Sequence, residues 1–214
     1  MSFFGETKNF GWVFTISELI AIISAVIGLV MGLTNSDEKL GVGGIVIAAG
    51  TIVGALLTLI FAIGVVKGNY IMKFGRFVDD ASTPFGVLCG YLAIGGIAGV
   101  IIGVTGIVGG IIEGSAISAD GILVVVIALI ELIIVAIMTD GKKTFADKVI
   151  FIILAILFIL TIIAAVLAVI ASVAVVADGW VGIVALVASI FALLEALFIT
   201  AFLFSGSTKK ELGM

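Results

Sequence analysis

The chain has 214 residues, of which 63% are hydrophobic and 11% are charged, and its formal net charge is −4 at pH 7. A soluble domain is about one-quarter charged and leaves much of its surface in water. The composition therefore excludes an ordinary soluble fold and favours a protein whose solvent is the lipid bilayer. An acidic chain with scattered basic residues also argues against nucleic-acid binding.

Six apolar segments, taken in chain order, predict a single all-α domain of six transmembrane helices. Each reaches the roughly 20 residues that a helix needs to cross the hydrocarbon core. The segments are long and do not alternate, which favours helices over a membrane barrel. The predicted spans are residues 12–33, 43–66, 85–112, 121–139, 149–176 and 180–204.

Two of these helices carry recognisable start signals. Thr83 followed by Pro84 predicts an N-cap with proline at the first helical position of the third span. Thr144 with Asp147 three residues later predicts a capped start for the fifth.

Basic residues indicate how the chain is oriented. With six spans, only Lys39 falls on one side of the membrane, and cytoplasmic loops are those rich in Lys and Arg. Both termini are therefore predicted to be cytoplasmic. The residues that share the other side are Lys8, Lys67, Lys73, Arg76, Lys142, Lys143, Lys148, Lys209 and Lys210.

The connector 67–84 between the second and third spans is predicted to be a cytoplasmic interfacial segment. Tyr70, Phe74 and Phe77 recur at helical spacing, with Lys73 and Arg76 opposite, which is typical of an amphipathic helix on a membrane surface. A solvated basic loop is the alternative interpretation.

Aromatic residues near the segment edges fit anchoring at the membrane interface. Four of them precede or open the first span and one opens the sixth. They are Phe3, Phe4, Phe10, Trp12 and Trp180.

A weak internal repeat suggests three sequential helical hairpins. Gly44-Ile45-Val46 opens the second span and Gly182-Ile183-Val184 opens the sixth, while Gly121-Ile122-Leu123 opens the fourth. Chance recurrence in so restricted an alphabet is the alternative.

Glycines spaced by four form stripes along three spans. Small residues at this spacing let another helix approach closely, and packing of this kind drives helix association in lipid. The stripes predict either packing inside the bundle, with the third span central, or contact with another subunit. The glycines concerned are Gly28, Gly32, Gly50, Gly54, Gly95, Gly99, Gly103, Gly106 and Gly110.

Three glutamates lie inside predicted spans. Glu18, Glu131 and Glu195 lie roughly 9, 12 and 13.5 Å from the cytoplasmic edges at 1.5 Å per residue. No Lys or Arg lies within a span, so we expect them to be protonated, hydrogen-bonded to a group such as Thr58 or Ser189, or bound to a cation. A proton or cation site is one interpretation, for which Glu131 and Glu195 are the better candidates. The other is structural, and Glu18 is near enough to the interface to reach it.

Other chemistry finds little support in the sequence. The chain has no histidine and one cysteine, Cys89, so it lacks the common general base and most ligand sets for zinc or haem. The stretch Gly41–Gly44 lacks the lysine of a phosphate-binding loop. Glu113, near the outer end of the third span, is expected to be solvated. We expect no catalytic residue, metal or cofactor.

One hairpin resembles a known family in outline. The rotor-ring proteolipids of rotary ATPases pair a glycine-rich helix with one that carries a mid-membrane carboxylate, and the stretch from Gly95 to Glu131 is similar. The resemblance implies that Glu131 and Glu195 bind ions. It covers one hairpin of three, and the fifth span is not glycine-rich. The predicted orientation also places the turns on the opposite side.

The sequence therefore favours a non-catalytic membrane subunit that packs laterally, in lipid, within a homo-oligomer or a larger complex. The alternative is a proton or small-cation channel or transporter that uses Glu131 and Glu195. An enzyme is a distant third, because no second group completes a carboxylate-based active site.

Overall fold

A computed structural model describes residues 3–34, 40–69, 83–114, 119–174, 176 and 179–214. The centre of the predicted interfacial segment, 70–82, and the connector residue Lys39 lie outside the described residues. The side chain of Trp180 does so too.

Most of the described residues are helical, and there is no strand among them. A short 3₁₀ turn, Phe3–Gly5, precedes seven α-helices. The helices are α1 (Thr7–Thr34), α2 (Val42–Lys67), α3 (Pro84–Ile112), α4 (Ala119–Met138), α5 (Phe145–Ala174), α6 (Trp180–Leu203) and α7 (Gly206–Glu211).

Helices α1 to α6 are long and apolar enough to cross a membrane. Their 20 to 30 residues meet or exceed what a span needs. The predicted all-helical architecture, with six long apolar helices that could span a membrane, is therefore confirmed. The short polar helix α7 was not predicted.

Both predicted helix starts are confirmed. Thr83 Oγ1 accepts a hydrogen bond from Gly86 N at 3.1 Å, with Pro84 in the first turn of α3. Asp147 Oδ2 accepts from Thr144 N at 2.5 Å and from Thr144 Oγ1 at 3.0 Å, which ties the start of α5 to the preceding turn.

The six long helices form two groups. Helices α1 to α4 pack side by side, each extensively against the next, and α5 packs mainly on α6. The contact between α2 and α3 is as extensive as that between α3 and α4, so packing does not single out the three predicted hairpins. The α5–α6 pair meets the other four chiefly through α6 against α1 and α3.

The buried core is concentrated at one end of the bundle, which we call the core end. It contains the starts of α1, α3 and α5 and the ends of α2, α4 and α6. Aromatic residues Phe10, Phe198 and Phe202 are fully buried there. Helix α7 also lies at this end, with Thr208 and Leu212 fully buried.

The aromatic residues near the N-terminus do not share one role. Trp12 is 53% exposed, as an interfacial anchor would be. The prediction for Phe10 is wrong: its ring is buried and lies 5.5 Å from that of Phe202. The side chain faces α3 and α6 rather than the bilayer surface, because the first turns of α1 are already inside the bundle.

At the opposite, far end, the α5–α6 pair contributes little to the common core. Apolar side chains of α5 such as Leu167 and Ile170 are 61% and 62% exposed. Within the pair, Ser172 and Ser189 hydroxyls lie 2.8 Å apart. A crevice of about 430 Å³ separates α1 from Val184 of α6.

Candidate functional site

A cavity of about 360 Å³ lies among α1, α2, α3, α4 and α6. It borders the core cluster, since Phe14 belongs to both. All three predicted glutamates line it, together with other residues of α1, α2, α3 and α4. The lining residues are Phe14, Glu18, Thr58, Tyr91, Gly95, Ala98, Gly99, Ile102, Val124, Ile127, Ala128, Glu131 and Glu195.

Each wall of the cavity is one face of a helix. Phe14 and Glu18 are four residues apart on α1, and Val124, Ile127 and Glu131 follow the same face of α4. Residues three, four or seven apart lie on one side of an α-helix. Helical periodicity therefore turns the glutamates of α1 and α4 toward the same space.

Small residues of α3 and α4 leave space beside the glutamate carboxyl groups. Gly95, Gly99 and Ala128 occupy the α3–α4 wall. A Cβ at Gly95 would meet only Glu131 Oε2, at 3.6 Å. Any larger side chain at Gly95 would therefore reduce the volume beside the Glu131 carboxyl group.

The three carboxyl groups have few polar neighbours. Glu18 lies near the hydroxyl of Thr58, which itself donates to Ala55 O at 2.9 Å. Glu195 lies near Ser17 and Glu18. The Oε1 atom of Glu195 is buried without a hydrogen-bond partner among the described residues. An ionised carboxylate left in this way is costly in a low-dielectric site.

Among the described residues, no positive side chain lines the cavity. The described lysines all lie at or beyond the core-end termini of the helices, as Lys8, Lys67 and Lys148 illustrate. Negative charge in the cavity requires a proton or an external cation for compensation.

Tyr91 is the cavity residue that sequence reasoning missed. The side chain of Tyr91 lies close enough to Glu18, Glu131 and Glu195 to interact electrostatically with all three carboxyl groups. Its ring packs 5.3 Å from that of Phe14. The sequence did contain an indication of this position, because Tyr91 lies four residues before Gly95 and therefore on the same face of α3.

The suggested partners of the acids divide between two places. Thr58 lines the cavity beside Glu18, as suggested. Ser189 is not among the lining residues, and its hydroxyl instead lies 2.8 Å from that of Ser172 of α5.

The acids do not form a metal cage. Among the residues that the structure describes, no group of three or more His, Cys, Asp or Glu side chains is placed to hold a metal ion. The carboxyl groups are instead spread over the walls of one space, where a bulkier cation or separate protons would meet them.

Apart from Gly95, which lines the cavity, the glycines of the predicted stripes fall into two classes. Gly50, Gly54, Gly99 and Gly103 each face a neighbouring helix so closely that an added Cβ would collide with it. At Gly28, Gly106 and Gly110 an added Cβ would meet nothing within 4 Å among the described residues, and at Gly32 it would meet only Leu40.

Glu113 has a contact that was not predicted. It is exposed, as expected, but its Oε1 atom accepts a hydrogen bond from Gly44 N at 2.8 Å. Glu113 thus caps the first turn of α2 from the end of α3, where a negative charge interacts favourably with the helix dipole.

Comparison with protein-family models, with curated proteins and with solved structures returned no match for this chain, so the outline likeness to rotor-ring proteolipids gains no support from it.

Proposed function

We propose that the protein is a non-catalytic membrane transporter for protons or small cations, in which Glu18, Glu131 and Glu195 take up the charge. One observation carries the proposal: carboxyl groups from three different helices line one cavity, and none of its described lining residues is basic. Ionisable residues at membrane depth are expensive and commonly mark an ion or proton pathway.

A carrier fits better than an open pore. Between the cavity and the core end lie the rings of Phe10, Phe198 and Phe202, which are fully buried. Helix α7 lies at the same end, with Thr208 and Leu212 fully buried. Passage through this end requires a change in helix packing, which is typical of alternating access.

The core end is proposed to face the cytoplasm. All described lysines lie at this end, including Lys142 and Lys143 of the α4–α5 connector and Lys209 and Lys210 of α7. Excess Lys and Arg in short loops is the main determinant of orientation. Both described ends of the chain then lie on the cytoplasmic side.

Flux in liposomes tests the transport proposal. Glu131→Gln and Glu195→Gln remove charge while conserving shape, so we expect each to lower cation-driven proton flux about tenfold or more. Glu211→Gln is the matched control, because it makes the same change on an exposed face of α7. Flux that is unchanged in both cavity variants would exclude the transport role.

Lateral assembly is a second candidate, favoured by the glycines at which an added Cβ would meet nothing among the described residues. Gly106 and Gly110 lie four residues apart on one face of α3, and a Cβ added at either would meet nothing within 4 Å among the described residues. Such a face suits close approach of a helix from a second copy or another subunit. Gly110→Leu should then abolish cross-linked oligomers in lipid, whereas a monomeric wild-type protein would contradict this candidate.

A further inference from the structure

We propose that the substrate of the cavity is an organic ammonium ion with an apolar body, exchanged for protons. The inference rests on the proposed transport function and names its substrate class. It follows from four features of the cavity: its size, its apolar lining, its aromatic wall and the unpartnered atom of Glu195.

The size exceeds what a proton or a bare ion requires. The cavity holds about 360 Å³, whereas one water molecule occupies about 30 Å³ in the liquid. Sites for small organic molecules typically span about 300–1,000 Å³, with apolar walls and few polar groups.

The lining of the cavity suits a cation whose charge is confined to one part of an otherwise apolar molecule. Apart from the three carboxyl groups, Thr58 and the Tyr91 hydroxyl, the lining is built from apolar side chains and glycine. Val124 and Ile127 also remain 37% and 48% exposed on the surface of α4, so the cavity reaches the lipid-facing side of the bundle. An amphiphilic cation can enter there, whereas a hydrated metal ion gains nothing from such walls.

The aromatic wall lies beside the acids. Phe14 and Tyr91 line the cavity next to Glu18 and Glu195. Ring faces attract alkylammonium groups, and the attraction grows when water is excluded. A metal ion would instead need several oxygen ligands at about 2.0–2.6 Å, and the described acids do not provide such a group.

Glu195 supplies the charge that fixes the ammonium group. Its buried Oε1 atom has no partner among the described residues and belongs to a residue of the cavity wall. Glu18, Glu131 and Tyr91 are the titratable groups that face it. When the ammonium ion binds, a carboxylic acid of this group releases its proton, so the charge in the cavity stays balanced.

Binding of benzyltrimethylammonium to the full chain in lipid nanodiscs tests the proposal by calorimetry. We expect binding that releases protons into weakly buffered solution and that sodium does not displace. Glu195→Gln should weaken binding about tenfold or more, because a buried charged contact is lost. Tyr91→Leu should weaken it about threefold, and Tyr91→Phe should retain most of it. Glu211→Gln should have no effect.

Gly95→Val gives a readout that a folding defect cannot imitate. The added side chain fills the space beside Glu131, so benzyltrimethylammonium should bind poorly while the smaller tetramethylammonium still binds. Equal loss of both ions, or binding that survives Glu195→Gln, would overturn the proposal.

The two proposals fail separately. Proton or sodium flux that depends on Glu131 and Glu195, without ammonium binding, would overturn the substrate class and leave the transport function standing. Absence of any flux that depends on these acids would overturn both.

Discussion

Helices α3 and α5 show how lipid reverses the usual relation between hydrophobicity and burial. The span in α3 has a mean hydropathy of 2.3 and is 56% buried, whereas that in α5 has 3.4 and is 22% buried. In water the more apolar helix would be the inner one. In lipid, apolar surface gains nothing by leaving the hydrocarbon, so close packing and polar groups decide which helix is central.

The composition of the two helices follows this rule. Helix α3 is rich in glycine and carries Tyr91, and it touches α2, α4, α6 and α7. Helix α5 is built from Ile, Leu, Val and Ala over most of its length and packs mainly on α6. The glycines of α3 thus allow neighbouring helices to approach closely, and α3 lies at the centre of the bundle, beside the cavity.

One leucine on each helix gives the sharpest test of this difference. Leu88 of α3 is fully buried and Leu160 of α5 is 55% exposed. We expect Leu88→Ala to lower the free energy of unfolding by about 3 kcal/mol, because it leaves a cavity in the core. Leu160→Ala should change it by less than about 0.5 kcal/mol. Unfolding titrations in bicelles measure both, and equal losses would break the comparison.

Two glycines within α3 refine the same test. A Cβ at Gly103 would lie 2.9 Å from Gly121 O of α4, a backbone atom that cannot rotate away, whereas at Gly106 it would meet no described atom within 4 Å. Gly103→Val should therefore cost about 2 kcal/mol through overpacking. In the same titration, Gly106→Val should leave the stability of the monomer nearly unchanged. A large loss at Gly106 in the absence of any oligomer would contradict the described packing.

The smallest expected effect concerns the cap from α3 to α2. Glu113→Gln replaces a charged acceptor of the Gly44 N–H by a neutral one, which we expect to cost about 0.5–1 kcal/mol. The loss should shrink in high salt, because the site is exposed. Glu211→Gln serves as the control, and an equal effect there would show that the hydrogen bond does not stabilise the fold.

Composition and residue spacing were sufficient to predict the helical architecture. Long unalternating apolar runs predicted the six helices, and local side-chain chemistry predicted the caps at Thr83 and Thr144. These features depend on residues near in sequence. Helix α7 was not predicted, because its six residues, Gly206–Glu211, show no apolar periodicity. It does have an N-cap, since Ser205 Oγ accepts a hydrogen bond from Thr208 N at 3.3 Å.

The site was only half predictable. Counting residues from the span edges gave the depth of Glu18, Glu131 and Glu195, but not the rotation of each helix about its axis. Rotation depends on how the helices pack. For the same reason Tyr91 was overlooked and Phe10 was assigned to the bilayer surface instead of the core.

The burial of Cys89 has a practical consequence for observing this molecule. It is the one cysteine of the chain and is only 1% exposed. Water-soluble thiol reagents should therefore not react with it. Cysteines introduced in place of Ser24 and Val184, across the α1–α6 crevice, would then be the reactive pair for spin labels. Distances measured between such labels, with and without ammonium ions, would show directly whether the two helices separate or approach.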